Sequence, residues 1–196
     1  VHKLQYILLP VIGIIFVTFC SFFVMLNYMA DDSDQAMYRS EANLLRAQIK
    51  QTEDRLILTA EDNSVWNAAF ENIYLDFNYN WLIENFGDDV KFLEYIDSFF
   101  IYGINDQVLF SNSDAGQPNP DQFLDTGLGT HLQTLMSTDY VTPVKSSGVI
   151  EIDKRLYMFG ASLVQKFDNS ETTIIDPERR PIIVFIHELS ENNLLS

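Results

Sequence analysis

The most distinctive stretch of the sequence is Asp62-Asn63-Ser64-Val65-Trp66-Asn67-Ala68-Ala69-Phe70-Glu71-Asn72-Ile73-Tyr74. An indole wall at Trp66, with the amide of Asn67 and the carboxylate of Asp62 nearby, suits a polar-ended pocket for a small molecule. In so acidic a chain the physically favoured occupant is a cationic amine held by aromatic faces and carboxylates. Phe70, Tyr74, Tyr102 and Tyr157 complete the expected ligand-binding set. With Trp81 and Phe110 they surround the place where helix and sheet should meet, most of them as core packing.

Covalent, cofactor and metal chemistry find little support. The histidines are His2, His131 and His187, and no H-E-x-x-H, G-x-S-x-G, phosphate-binding loop or dinucleotide fingerprint occurs. His131 and His187 read as structural. Asp31, Asp32 and Asp34 lack calcium-loop spacing and read as solvated charges. With 28 acidic residues some carboxylate pair always exists, so a glycosidase pair carries no information. The chain reads as non-enzymatic, without a cofactor or a catalytic metal.

The chain before Asp31 is of a different kind. Leu4 to Ala30 holds no charged side chain, whereas all 28 acidic residues and all but Lys3 of the 12 basic ones lie at or beyond Asp31. At ~1.5 Å per residue this run makes a helix about 40 Å long, against a hydrocarbon core of roughly 30 Å. It therefore predicts a membrane-crossing helix from near Tyr6 to near Tyr28. The run is too long for a signal peptide, and Asn27-Tyr28-Met29-Ala30 is a poor cleavage site. His2 and Lys3 before the run, and the aspartates after it, put the N-terminus in the cytoplasm and the rest outside. The expected organisation is 1–30 as cytoplasmic start and transmembrane helix, 31–189 as a periplasmic domain with a stem helix over 31–62, and 190–196 as the start of an exit helix.

The chain has 196 residues, 47% of them hydrophobic, and a net charge of −16. That is enough apolar content for one core, and the acid excess excludes a nucleic-acid partner. Cys20, the single cysteine, excludes an internal disulfide and reads as an apolar filler. Asp34 to Asp62 contains neither Gly nor Pro, and Tyr38, Leu45, Ile49, Leu56 and Ala60 form one apolar seam on it. The seam can serve the sheet of its own domain or the same helix of a second chain, giving a homodimer.

Trp66, Phe70 and Ile73/Tyr74 are spaced for one helical face. Asn80 caps a short helix carrying Trp81, Leu82 and Phe86 and ended by Gly87, and another helix runs from Asp89 to about Tyr95. Strands follow at Phe99–Ile104 and Val108–Ser111, joined as a hairpin through Asn105-Asp106-Gln107. Asp121–Met136 has helical spacing, weakened by Gly127 and Gly129. Further strands are expected at Gly148–Ile152, Arg155–Val164 and Pro181–His187, with a turn at Asp153-Lys154 and an exposed hairpin tip over 168–180. A helix begins at Ser190. The tally is an α+β domain, a PAS-like or single Cache-like antiparallel sheet of about five strands covered by helices.

At Asp62 to Tyr74 the sequence resembles the fourth class of CHASE domains, extracellular sensors of bacterial and archaeal signalling receptors. Members carry a tryptophan-acid-(small or acidic)-alanine-aromatic core after a long stem helix, here Trp66-Asn67-Ala68-Ala69-Phe70. The likeness continues through Asn78–Phe86, the Phe99–Phe110 hairpin, the two late strands and Ser190–Leu195. Asn67 replaces the usual acid, and Asn105-Asp106-Gln107 replaces the usual Asp-Gly turn. The resemblance implies an input domain whose second membrane helix leads to a cytoplasmic diguanylate cyclase, cyclic-di-GMP phosphodiesterase or histidine kinase. A chain that starts at Val1 and stops as a helix begins is then expected to be an N-terminal excerpt of a longer receptor. The alternative is a module that docks a periplasmic solute-binding protein and has no small-molecule pocket of its own.

Overall fold

Runs of aromatic and β-branched residues, short enough to be strands and apolar on alternate or on both faces, build the centre of the fold. The computed structural model of the protein describes residues 2–87, 95–136, 144–167 and 180–190. Among these, five strands form one sheet: β1 (Ser98–Tyr102), β2 (Val108–Ser113), β3 (Lys145–Ile152), β4 (Arg155–Leu163) and β5 (Ile182–Leu189). They lie in the order β2-β1-β5-β4-β3 with every neighbour antiparallel. The expected α+β class and five-stranded antiparallel sheet with a long N-terminal helix are what the fold shows.

Both predicted turns use left-handed backbone. Asp153 and Lys154 (φ 51° and 66°) join β3 to β4, a pattern that follows the twist of the paired strands. Asn105 and Asp106 (φ 56° and 60°) do the same within a single 3-10 turn, Ile104–Asp106, between β1 and β2. Asn and Asp tolerate this conformation better than other non-glycine residues, so the missing Asp-Gly pair is accommodated.

Helices cover both faces of the sheet. One core cluster joins Phe99, Ile101, Met158, Ile183 and Phe185 to helical residues that precede the sheet, among them Leu56, Ala60, Phe70, Leu82 and Phe86. The opposite cluster joins Phe100, Tyr102, Tyr157, Phe159 and Val184 to Phe123, Leu128, Leu132 and Leu135. The period-two alternation along β1, β4 and β5 sorts the residues between the two.

The preceding helices are α1 (His2–Ser64), α2 (Asn67–Ala69) with a π-helical turn at Phe70–Leu75, and α3 (Tyr79–Phe86). Residues 1–47 and 48–196 form two units. Within the first, Ile14, Phe16, Phe19, Phe22 and Met25 are exposed apolar side chains. The Thr18 hydroxyl lies 3.0 and 2.9 Å from the Ile14 and Ile15 carbonyls, so its polar group is satisfied inside the helix. Tyr38 and Leu45 are exposed. Within the second unit the same seam is used: Leu56 and Ala60 are buried, and Ile49 packs against their cluster. Gly160 on β4 lets α1 come close, since a Cβ there would lie 2.4 Å from the Leu56 carbonyl carbon and 2.5 Å from Ile57 N.

On the other face α4 (Pro120–Phe123), a π-helical turn at Leu124–Leu128 and α5 (Gly129–Met136) take the place of the single helix expected over Asp121–Met136. Asn119 and Gln122 form a reciprocal cap. Gly127 (φ 117°) then breaks the regular path, so that a glycine is needed at the kink. The cap of α3 also shifts. Asn78, not Asn80, accepts the Trp81 N–H at 3.1 Å, because Asn80 already lies within the first turn. The expected helix from Asp89, the hairpin tip over 168–180 and the helix from Ser190 fall chiefly outside the described residues.

Candidate ligand site

The Trp66 motif does not form one continuous helical face. Val65 bridges Gln165 in parallel, and Gln165 N–H donates to the Ser64 carbonyl at 3.0 Å. This pulls Trp66 into extended backbone (φ −150°, ψ 130°) at the start of α2. Its ring, 39% exposed, packs on Trp81 at 5.3 Å rather than on Phe70. From Trp81 the ring contacts continue to Phe86 (5.7 Å), Phe99 (4.9 Å) and Phe185 (4.8 Å). A partly exposed indole thus ends a line of aromatic contacts reaching the middle of the sheet.

The other expected ligand residues separate into three groups. Phe70 and Tyr74 meet at 5.2 Å, Phe70 buried under the Lys166 ammonium (5.6 Å) and Tyr74 half-buried. Asn67 turns its amide oxygen to the Phe167 N–H at 3.1 Å, and Asp62 lies exposed in the last turns of α1. Tyr102 and Tyr157 are fully buried in the opposite cluster, so they do not meet the Trp66 segment. The Tyr102 hydroxyl donates to the Pro120 carbonyl at 3.0 Å. Burial pushes its pKa far above the ordinary phenol range, with the charges of Asp121 and Asp106 adding to it. Burial raises Tyr157 as well. Both are neutral packing phenols. The reason for the separation is the pleat: residues two apart in a strand share a face, and Phe100 and Tyr102 lie opposite Phe99 and Ile101.

A cavity of about 420 Å³ opens where the first π-helical turn passes the β1–β2 hairpin. Ile73, Tyr74 and Leu75 of the turn, with Phe77 just after it, form one wall. Gly103, Gln107 and Leu109 of the hairpin form the other, with Pro181 beside them. The turn is widened by one residue, as its Asp76 N–H reaches back five residues to the Glu71 carbonyl at 2.9 Å. Of the residues expected from sequence, only Tyr74 lines this cavity. Phe77 was legible as an aromatic inside the polar run Asp76–Asn80, but Gln107 and Leu109 only become neighbours of the π-helical turn through the fold.

A second polar cluster lies at the end of β5. Arg155 grips Glu188 through two donors, Nε to Oε1 at 2.6 Å and one terminal nitrogen to Oε2, and Gln117 adds a third at 3.2 Å. His187 Nδ1 lies 3.0 Å from Asp97 Oδ2, which also accepts the Glu188 N–H at 2.6 Å. Burial alone would raise Asp97, but the His187 and Glu188 N–H contacts and the charges of His187 and Arg155 hold it below the usual carboxylate range. The Arg155 contact depresses Glu188. Among the described residues no group of three or more His, Cys, Asp or Glu side chains is arranged to hold a metal ion.

Compared with protein families, the CHASE4 domain matches residues 48–194. The chain belongs to the CHASE4 family. No curated protein matches it. CHASE4 domains are sensor domains of signalling receptors, sensory rather than catalytic. The match covers the sheet, both helical layers and the last turns of α1. Among the described residues one helix, from Gly13 onward, is long and apolar enough to cross a membrane. The CHASE4 resemblance read from the tryptophan motif is thus borne out across the domain.

Proposed function

We propose that this chain is the periplasmic input part of a membrane receptor, which converts ligand binding into a shift in its stem helices. Residues 1–30 anchor it with the N-terminus in the cytoplasm, 31–189 form the sensor with its stem over 31–62, and 190–196 begin the exit helix. The observation that carries this reading is the double use of α1. The helix that bears the apolar stretch also gives Leu56 and Ala60 to the sensor core, and its backbone lies against Gly160. A change in the packing of the core is therefore a change in the seat of that helix.

The exposed seam residues Tyr38 and Leu45 then pair with those of a second copy, forming a homodimer in the membrane. A bound signal shifts the output, cyclic-di-GMP turnover or histidine kinase activity, by no more than its difference in affinity for the two arrangements of the pair. Asp62, Trp66, Asn67, Phe70 and Tyr74 are the ligand-side residues of this reading. Docking of a periplasmic binding protein is the second reading, favoured by the exposed aromatic side chains of Phe77, Tyr79 and Phe167.

The test uses the chain in its membrane, with Cys20→Ser as background. Leu45→Cys should cross-link two copies on mild oxidation, and protease added to intact spheroplasts should cut the region beyond Asp31. Protection of that region from protease sinks the reading.

A further inference from the structure

Resting on the sensor reading above, we propose that the cavity between the first π-helical turn and the β1–β2 hairpin binds an uncharged amphipathic small molecule. Its occupant has an aromatic or branched aliphatic body and one neutral hydrogen-bonding end. This differs from the cationic amine that acidity alone favours.

Size and lining both lead to that class. A space of about 420 Å³ lies within the range of small-molecule sites, roughly 300–1,000 Å³. Among the described residues its lining side chains are apolar or aromatic except for Tyr74 and Gln107, and none is acidic or basic. A charged ligand entering there loses water without gaining a counter-charge from the walls. A neutral end loses far less, and Gln107 can both donate to it and accept from it. Leu75 and Phe77, 60% and 44% exposed, leave apolar surface at the mouth for the ligand body to cover.

The π-helical turn gives the site a route into the core. A wide turn packs less regularly than an α-helix and recurs at functional sites. Its residues serve both sides: Phe70 and Ile73 are buried in the cluster that contains Leu56 and Ala60 of α1, and Ile73 also lines the cavity with Tyr74 and Leu75. An occupant pressing on Tyr74 and Leu75 therefore acts on a turn that shares its core cluster with the end of α1.

The experiment uses the whole chain in lipid nanodiscs, with ¹³C-labelled isoleucine and leucine methyl groups. Three probes share one ring and differ in their end: 2-phenylethanol (neutral), 2-phenylethylamine (cationic) and 3-phenylpropionate (anionic). The neutral probe should give saturable shifts at the Ile73, Leu75 and Leu109 methyls and leave Leu128 and Leu132, on the opposite face, unmoved. Non-saturating shifts at Ile14 and Ile15 report partition into lipid and serve as the control. Gln107→Ala should weaken the neutral probe about fivefold, the loss of one neutral hydrogen bond, and Phe77→Ala should weaken it further. Equal or tighter binding of a charged probe overturns the proposal, as do shifts confined to the Trp66–Trp81 region or the absence of saturable shifts at the cavity. A chain that cross-links through Leu45→Cys and fails here loses the ligand class and keeps the receptor reading.

Discussion

The two faces of the sheet are built from similar material and differ in how they close. Each carries aromatic residues in ring-to-ring contact, and each is covered by a helical layer interrupted by a π-helical turn. On the face of Phe123 and Tyr157 the run of rings Phe100, Phe123 and Tyr157 is fully buried, and only the half-buried His131, edge-on to Phe159, reaches toward the surface. On the face of Phe70 and Phe86 they run outward to a partly exposed Trp66, and a cavity opens beside Tyr74. That face also has polar ties to α1. Ser64 donates to the Ser162 hydroxyl at 2.6 Å, Ser147 to Glu53 at 2.7 Å, and Lys145 to Glu61. Aromatic content alone therefore does not distinguish the two faces. Incomplete closure next to α1 does.

The largest difference in stability is expected on the open face itself. Phe70→Ala should cost about 4 kcal/mol, as expected for a buried aromatic ring, whereas Trp66→Ala should cost about 1 kcal/mol with cooperative unfolding kept. Urea denaturation followed by circular dichroism separates the two, and equal losses would make Trp66 a core residue. Next come two glycines. Gly160→Ala should cost about 3 kcal/mol because the new Cβ meets α1 backbone, but Gly148→Ala only about 1 kcal/mol. At Gly148 the obstacle is the Phe159 ring edge at 2.9 Å, a side chain that can turn.

The closed face is sharpened by its two tyrosines. Tyr102→Phe should destabilise by about 1 kcal/mol, through loss of the bond to Pro120, while Tyr157→Phe should be neutral or stabilising by a similar amount. Among the described residues the buried Tyr157 hydroxyl has no hydrogen-bond partner, so losing it removes a desolvation cost. The smallest effect is a pH dependence at the end of β5. Asp97 and Glu188 are both held below their usual range. Their contribution is thus present above the unfolded-state carboxylate pKa and fades as pH falls through the depressed folded values. Asp97→Asn should flatten the acid limb of a plot of melting temperature against pH, and an unchanged limb would show that the cluster adds nothing.

Most of the fold was legible because its signals are local. Asp153-Lys154 and Asn105-Asp106 lie in turns between apolar runs, and Gly87 closes a short helix. The α1 seam could be seen as a seam, yet not divided: only packing distinguishes buried Leu56 from exposed Leu45. The candidate site was harder. Counting rings put Tyr102 and Tyr157 beside Trp66, although strand alternation from Phe99 already assigns Tyr102 to the other face. Trp66 obeyed helical spacing but not helical backbone, because the bridge from Val65 to Gln165 joins residues that no local pattern relates. The cavity was invisible for the same reason, as Leu109 and Pro181 meet the π-helical turn only once the sheet has formed.

The strand order places β5, the latest of the five in the chain, between β1 and β4 at the middle of the sheet. The β1–β2 and β3–β4 hairpins are each local, but neither touches the other without it. During synthesis at the ribosome the two halves must wait, apolar edges open, until residues 182–189 emerge and slot between them. A nascent chain interrupted before β5 is therefore left with two unjoined hairpins and no complete sheet.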